Sequence, residues 1–454
     1  MLNKLALFFS HSIFQKLMSF VIMSLILNAL SKEDYAIFNL FYNFVYILTS
    51  ILIFETNRVF QTNISLNNES EKKIISQFIL ILILSFTFIA SLITAWKFFL
   101  SDIIYLSLKN IPLIYFLIFS LVIINYKFFI SFYTGKQDFR KMCFVSIFFP
   151  GLTIFSVLFF YVFDFNFLTM YFYINLITLL SYQIFFRSII FFDFKNLAKT
   201  FLYFSNYLKK SIYYFFIGFK DLIFVLIIFA YISHINVVVI ADIGFLLFFS
   251  QFIQLGNLSL INIFLNKGNL SSREKYLLFP TLILGGFIMI FLVYSNSWLI
   301  NLFYEKYLNT FLDNILLAFS FAIVSGTLGL LSVTVEKNKL KNILVNLVLY
   351  ILSAIFIFFL ITDEFSIIKK FFLYLIISNS LVILYLVLTN QLLKKYINKT
   401  KINLTFYTFI CLSPIFTNNL KFYLFLFVLF LFLNKKLVLF FIYDFLKFFK
   451  RRFL

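Results

Sequence analysis

The sequence predicts an all-α polytopic membrane protein of about fourteen transmembrane helices, arranged as two six-helix bundles and a C-terminal helix pair. Three observations carry that expectation. The chain of 454 residues is 63% hydrophobic and only 12% charged, about half the ~25% charged share of a soluble domain. Apolar runs of about 20 residues, the length that crosses a bilayer as a helix, repeat from end to end. Basic islands punctuate them, at 72–73, 136–141, 195–210, 267–275, 337–341 and 394–401 and in a tail ending at Arg451 and Arg452, each pair of islands separated by enough sequence for two crossings. Strand-type alternation is absent, which argues against a transmembrane barrel. No polar stretch is long enough for a sizeable water-soluble domain.

In order, the spans read 7–30, 35–59, 74–96, 111–132, 142–163, 167–192, 212–233, 236–265, 277–300, 313–335, 343–361, 367–392, 403–418 and 420–434. The first lacks an A-x-A-like cleavage signal and reads as a retained helix. The last two are short. Residues 436–454, KLVLFFIYDFLKFFKRRFL, mix apolar and basic side chains as an interfacial amphipathic helix does.

The formal net charge of +20 raises nucleic acid as a partner, but the basic residues sit in short loops beside apolar spans. There they report orientation and contact with anionic membrane lipid, so no nucleic-acid partner is expected. With the N-terminus in the cytoplasm, 27 Lys and Arg fall on the cytoplasmic side and 7 outside, and the reverse orientation inverts that bias. Both termini are then cytoplasmic. Cys143 and Cys411 lie in or beside apolar segments and read as free thiols. The 74 Phe match an A/T-rich genome and a lipid-facing surface. With only 10 Gly, close helix packing is expected to lean on Ser and Ala.

The cytoplasmic loops also pair up. They begin near 61 and 266, near 133 and 336, and near 193 and 393, offsets of about 205, 203 and 200. A constant offset with an even helix number implies two repeats of the same orientation, related by an axis along the membrane normal. The expected divisions are 1–205, 206–400 and an extra segment at 401–454.

Ionisable residues inside a bilayer are costly and are functional candidates by default. Lys16 lies midway along the first span and Lys220 within the seventh, and their separation (220 − 16) of 204 matches the repeat offset. They read as equivalent cations on the first helix of each half. Asp221 points about 100° away from Lys220 on a helix, and reads as a proton carrier or as a partner of Lys16. Glu55 and Arg58 have the i,i+3 spacing of an ordinary ion pair. Asn39, Asn43, Gln251, Gln254 and Asn257 give spans two and eight polar faces, suited either to interhelical hydrogen bonds or to a wet cavity. His11 and His234 are isolated, so no metal site is expected. No G-x-x-x-x-G-K-[ST] loop is present, no cofactor is called for, and a primary ATP-driven pump is not the expectation.

At this point the motifs suggest a family. LSKEDYAIF at residues 30–38 resembles the L-S-x-E-D-[FY]-G turn after the first helix of bacterial polysaccharide flippases, with Ala36 in the place of Gly. TGKQDFR at 134–140 resembles their loop between the fourth and fifth helices, and IADIGFLLFFSQ at 240–251 resembles their entry to helix eight, with Asp242 a departure from the pattern. These are the O-antigen and capsule repeat-unit exporters of the multidrug/oligosaccharidyl-lipid/polysaccharide superfamily. The resemblance implies two six-helix bundles in a V around a cavity lined by cations, a description that Lys16, Arg58 and Lys220 match.

The expected function is therefore that of a flippase, not an enzyme. It moves a polyprenyl-pyrophosphate-linked oligosaccharide from the cytoplasmic to the outer face by alternating access, with polysaccharide polymerase machinery as a further expected partner. Lys16 and Lys220 hold the pyrophosphate and Arg58 guides its entry. The sugar sits on Asn, Gln, Ser and Tyr groups, and Asp221 or Glu55 is the coupling-ion candidate. The rivals are a cation-coupled drug exporter of the same superfamily, which needs more buried acids, and an O-antigen polymerase, which needs a large external loop.

Overall fold

The computed structural model describes residues 21–53, 56–66, 71–102, 104–136, 166–185, 225–253, 304–334, 340–360 and 366–389, with isolated residues between them. Every regular element among the described residues is helical and none is a strand. The helices are α1 (Lys32–Leu52), α2 (Thr56–Leu66), α3 (Glu71–Ala95), α4 (Leu113–Gly135), α5 (Phe167–Phe185), α6 (Val225–Ile235), α7 (Val238–Ile253), α8 (Leu308–Thr334), α9 (Leu340–Ile355) and α10 (Ile367–Thr389). Among the described residues, five segments are long and apolar enough to cross a membrane: Ile74–Leu100, Leu113–Gly135, Phe167–Ile184, Glu305–Ser325 and Ile367–Leu386. This is a membrane-embedded helical protein. The expected spans at 142–163, 277–300, 403–418 and 420–434, most of the first, and the tail at 436–454 lie outside the described residues.

Two expectations about the helices are corrected. The span expected to run unbroken over 35–59 is two helices: α1 ends at Leu52, and α2 starts at Thr56 and continues to Leu66. The Thr56 amide and hydroxyl both donate to the Ile53 carbonyl, at 3.0 and 2.7 Å, so the carbonyl just past α1 is met locally. The third span does not end at 96 either. It widens into a π-helical turn at Trp96–Leu100, and α9 likewise continues into one at Phe356–Leu360.

The chain divides into two compact units, Met1–Gly244 and Phe245–Leu454. In the first, aromatic rings carry the packing. Phe60 of α2 stacks on Phe78 of α3 at 4.1 Å between centroids and lies 5.6 Å from Phe128 of α4. Phe41 of α1 meets Phe116 edge-on at 4.9 Å and Phe119 at 5.7 Å, and Phe38 meets Phe167 and Tyr171 of α5 edge-on. Many Phe thus fill the protein interior rather than coat a lipid-facing surface. With few glycines to bring backbones together, interlocking rings supply the van der Waals contact that holds membrane helices to one another.

Where backbones do approach, the residues are small. A Cβ added to Gly135 on α4 would lie 2.8 Å from the Gln61 carbonyl and 3.0 Å from Ile64 of α2, so the glycine sets that crossing. Ser120, Ser131, Ser320 and Ser378 are buried, as are Ala36, Ala241, Ala318 and Ala322.

In the second unit, Phe245 stacks on Tyr307 at 4.6 Å and Phe249 meets Phe311 at 5.5 Å, which seats the last turns of α7 on α8. Tyr350 of α9 donates to Asn379 of α10 in the interior. A buried polar pair of this kind fixes the rotation of one membrane helix against its neighbour.

Candidate functional site

α1 spans 21 residues, ~30 Å at 1.5 Å per residue, and is not among the five segments apolar enough to cross a membrane. Its polar residues do not scatter. Asn39, Asn43, Tyr46 and Ser50 recur at spacings of four, three and four, so they share one face, with Tyr42 beside them. Hydrogen bonds run along that face. Asn43 donates from Nδ2 to the Asn39 carbonyl at 2.8 Å and to its Oδ1 at 2.5 Å, and Ser50 donates to the Tyr46 carbonyl at 2.6 Å. Tyr42 and Tyr46 stack nearly parallel, with centroids 5.9 Å apart.

Beyond the first turn of the helix, the middle of this face is the most open part, while Asn39 and Ser50 at its ends are buried. From Tyr35 to Ser50, Tyr46 is the single exposed residue, at 38%, and Tyr42 and Asn43 are half-buried, while the apolar Phe41, Phe44, Val45 and Ile47 are buried. A helix against lipid shows the reverse order, because polar groups in a membrane turn to the protein interior or to water.

At its Lys32 end α1 is tied to α7. Lys32 Nζ lies 2.9 Å from Asp242 Oδ1, and Asn39 Nδ2 donates to the Ile240 carbonyl at 3.1 Å in a buried setting. Between these contacts sits Gly244, where any Cβ would run into the Asn39 amide and the Tyr35 hydroxyl. Asp242, the residue that departs from the flippase pattern, is thus the acid that meets the lysine of LSKED.

At its other end α1 meets a lysine of α4. Lys127 Nζ donates to Ser50 Oγ at 2.8 Å and stands 5.3 Å from the centroid of the Tyr46 ring, within cation–π range. Lys127 lies eight residues (135 − 127) before the end of α4, ~12 Å inside the helix by its rise. It is half-buried.

Of the residues expected at the site, Asn39 and Asn43 fall on this face. Asn39 is buried in the junction with α7 and Asn43 opens along the stripe. Arg58 lies in α2 and Gln251 in α7, but their side chains are outside what is described. Lys16, Lys220, Asp221, Glu55 and Gln254 lie outside the described residues altogether, as do Asn257, His11 and both cysteines. His234 is exposed at the end of α6, and no group of three or more metal-ligating side chains occurs among the described residues.

Sequence reading passed over Lys127 for an identifiable reason. The position 204 residues after Lys127 is Leu331, so Lys127 has no counterpart of the kind that Lys16 has in Lys220. The signal was nevertheless present, as a lone lysine inside LIYFLIFSLVIINYKFFISFYTG. Compared with known proteins, the chain matches no family model, no curated protein and no solved structure at a significant level. Its function is therefore argued from these residues alone.

Proposed function

We propose that this chain is a lipid-linked oligosaccharide flippase of the bacterial polysaccharide-exporter type. It carries a polyprenyl-pyrophosphate-linked sugar repeat unit from the cytoplasmic to the outer face of the inner membrane by alternating access. In this reading the chain crosses fourteen times, both termini are cytoplasmic, and the protein is a transporter rather than an enzyme. The observation that carries the proposal is the polar stripe of α1. A helix on which Tyr46 is exposed and Tyr42 and Asn43 are half-buried, while Phe41, Phe44, Val45 and Ile47 are buried, supplies an aromatic, hydrogen-bonding face. Sugars are bound by that chemistry, by amide and hydroxyl partners with ring faces beside them.

The expected internal repeat is in keeping with the same reading. α5 and α10 begin at Phe167 and Ile367, 200 residues apart (367 − 167), and each is capped from the residue before it, by Asn166 Oδ1 and by Ser366 Oγ. By loop charge, the Lys32–Asp242 junction belongs to the outer end of the helices and Lys127 to the cytoplasmic half. An inside-negative potential then favours outward passage of an anion by ~2.3 kcal/mol per charge per 100 mV.

The test is the fate of lipid-linked repeat units in a strain lacking the gene. They are expected to accumulate on the cytoplasmic face, protected from glycosidases added outside, and to return outside when the gene is restored. Unchanged appearance of repeat units on the outer face in the deletion strain would overturn the proposal.

A further inference from the structure

We infer that the end of α3 and the loop after it bind a zwitterionic phospholipid of the phosphatidylethanolamine class, with an acyl chain on Phe98 and Phe99 and the headgroup between Asp102 and Lys109. The inference does not depend on what the chain transports or on which leaflet the loop faces.

The place comes first. Ile74–Leu100 is 27 residues long, ~40 Å at ~1.5 Å per residue, against a hydrocarbon core of ~30 Å. The π-helical turn at Trp96–Leu100 thus stands at the edge of the core, next to Asp102 and Lys109 in the loop.

The surface there has two parts. Phe98 and Phe99 are 74% and 81% exposed, more than any other aromatic ring among the described residues, and Leu100 and Leu106 extend the patch. Ser101 keeps the helical conformation, so Asp102, four residues after Phe98 and three after Phe99, shares their face. Lys109 pairs with Asp102, and both stay open, at 49% and 68% of their side-chain surface. An apolar face is therefore headed by a cation and an anion side by side.

That order selects the occupant. A phospholipid presents acyl chain, then phosphate, then head. The phosphate suits Lys109, and a primary ammonium suits Asp102 as both charge and hydrogen-bond donor. A purely anionic head meets Asp102 as a like charge. An exposed pair is weakly held, so each member can exchange its partner for the matching lipid group without being left unpaired. Other apolar surface lacks this feature: α5 exposes Tyr173, Ile177, Leu180 and Ile184 at spacings of four, three and four, and contains no charged residue. It can take an acyl chain but cannot choose a headgroup.

The loop is also fixed in advance. The Trp96 indole donates to the Ile104 carbonyl at 3.1 Å, and the Lys97 ammonium donates to the Ile111 carbonyl at 2.7 Å and to the Lys109 carbonyl. Lys97 is thus engaged with backbone, and Lys109 is brought back to Asp102. Tyr105 holds a left-handed φ of 60°, which a bulky residue keeps only where its surroundings impose it, and its hydroxyl donates to the Leu226 carbonyl of α6. A site already in shape loses less freedom on binding.

Trp96 supplies the test. The chain has two tryptophans, and with Trp298→Phe the full-length protein in vesicles reports lipid at this site through quenching of Trp96 by brominated phospholipid. Brominated phosphatidylethanolamine is expected to quench at a mole fraction about fivefold below that of brominated phosphatidylcholine or phosphatidylglycerol, the scale of one net hydrogen bond. Asp102→Asn and Lys109→Gln should each abolish that preference with little change in melting temperature. Phe98→Ala should weaken quenching by all three lipids alike. Equal quenching by the three lipids in the parent protein would reduce the patch to ordinary lipid contact and overturn the site. A preference for phosphatidylglycerol would overturn the zwitterion assignment, as would a preference for phosphatidylethanolamine that survives both charge variants. Should Trp298→Phe fail to fold, native mass spectrometry of the wild-type chain with the same lipids ranks them directly, and the same outcomes decide.

Discussion

At its Lys32 end α1 is held against α7 by an ion pair, a buried amide and a glycine; at its Ser50 end the helix stops and restarts beside a lysine of α4. Both ends place charge or amide groups at a helix surface in an otherwise apolar chain. The first satisfies them within the protein, with Lys32 matched to Asp242 and Asn39 to the Ile240 carbonyl. The second leaves Tyr46 exposed and Tyr42, Asn43 and Lys127 half-buried. Both ends bond their polar groups within the protein, and they differ in how far the side chains open, with Tyr46 the exposed one.

The comparison breaks most readily at Gly244. Gly244→Leu forces a side chain into the Asn39 amide and the Tyr35 hydroxyl. Overpacking of this kind costs ~1–3 kcal/mol, here by displacing the Asn39 amide that bonds the Ile240 carbonyl. The expected result is a lower melting temperature in detergent and less folded protein on gel filtration. Wild-type melting of Gly244→Leu would mean that the Asn39 and Tyr35 side chains swing aside without cost and that the Asn39 bond to α7 contributes little.

At the other end, Lys127→Ala is expected to reduce repeat-unit export tenfold or more, the size of losing a charge-assisted contact worth ~1.5–3 kcal/mol. Its melting temperature should move less than that of Gly244→Leu. The opposite ranking, with stability lost and export kept, would make Lys127 a structural residue and erase the contrast between the ends.

A smaller effect sharpens the closed end. The side chains of Lys32 and Asp242 keep 29% and 14% of their surface exposed, so solvent screening holds the pair to ~1 kcal/mol or less. Lys32→Asp or Asp242→Lys alone should lower thermal stability by a few degrees, and the double exchange should restore most of it. Absence of recovery in the double variant would show that the two charges are not coupled.

The smallest effect is Ser50→Ala, which removes one neutral hydroxyl from the lysine at ~1 kcal/mol. It should lower export about fivefold with no change in melting. A loss as large as that of Lys127→Ala would place the hydroxyl, not the charge, at the centre of the site.

Much of this was legible before any coordinates. The helical membrane class follows from apolar runs of fixed length, and α4, α5, α8 and α10 overlap the spans read from the sequence because uninterrupted hydrophobicity has one interpretation in a bilayer. Asn39 and Asn43 stood out because amides are rare in such runs. The break after Leu52 was not legible, since Ile53, Phe54 and Thr56 are compatible with a continuing helix and no Gly or Pro marks the interruption. The Lys32–Asp242 pair joins residues 210 apart, and a single sequence holds no signal for which loop acid meets which loop lysine. Lys127 was visible as an isolated charge, but its meaning depends on Ser50 and Tyr46, which only packing brings to it.

The central claim is that the open face of α1 is wet and that the open end receives substrate. Thiol labelling tests it most directly. With Cys143 and Cys411 replaced by Ser, single cysteines are placed at Tyr46, Asn43 and Val45 and exposed to a water-soluble, membrane-impermeant maleimide in inside-out vesicles. The account predicts that Tyr46→Cys and Asn43→Cys label rapidly, that Val45→Cys does not, and that a lipid pyrophosphate slows labelling at Tyr46→Cys. Labelling of none of the three, in protein that still exports repeat units, would mean that the stripe faces lipid or packed protein and would contradict the account.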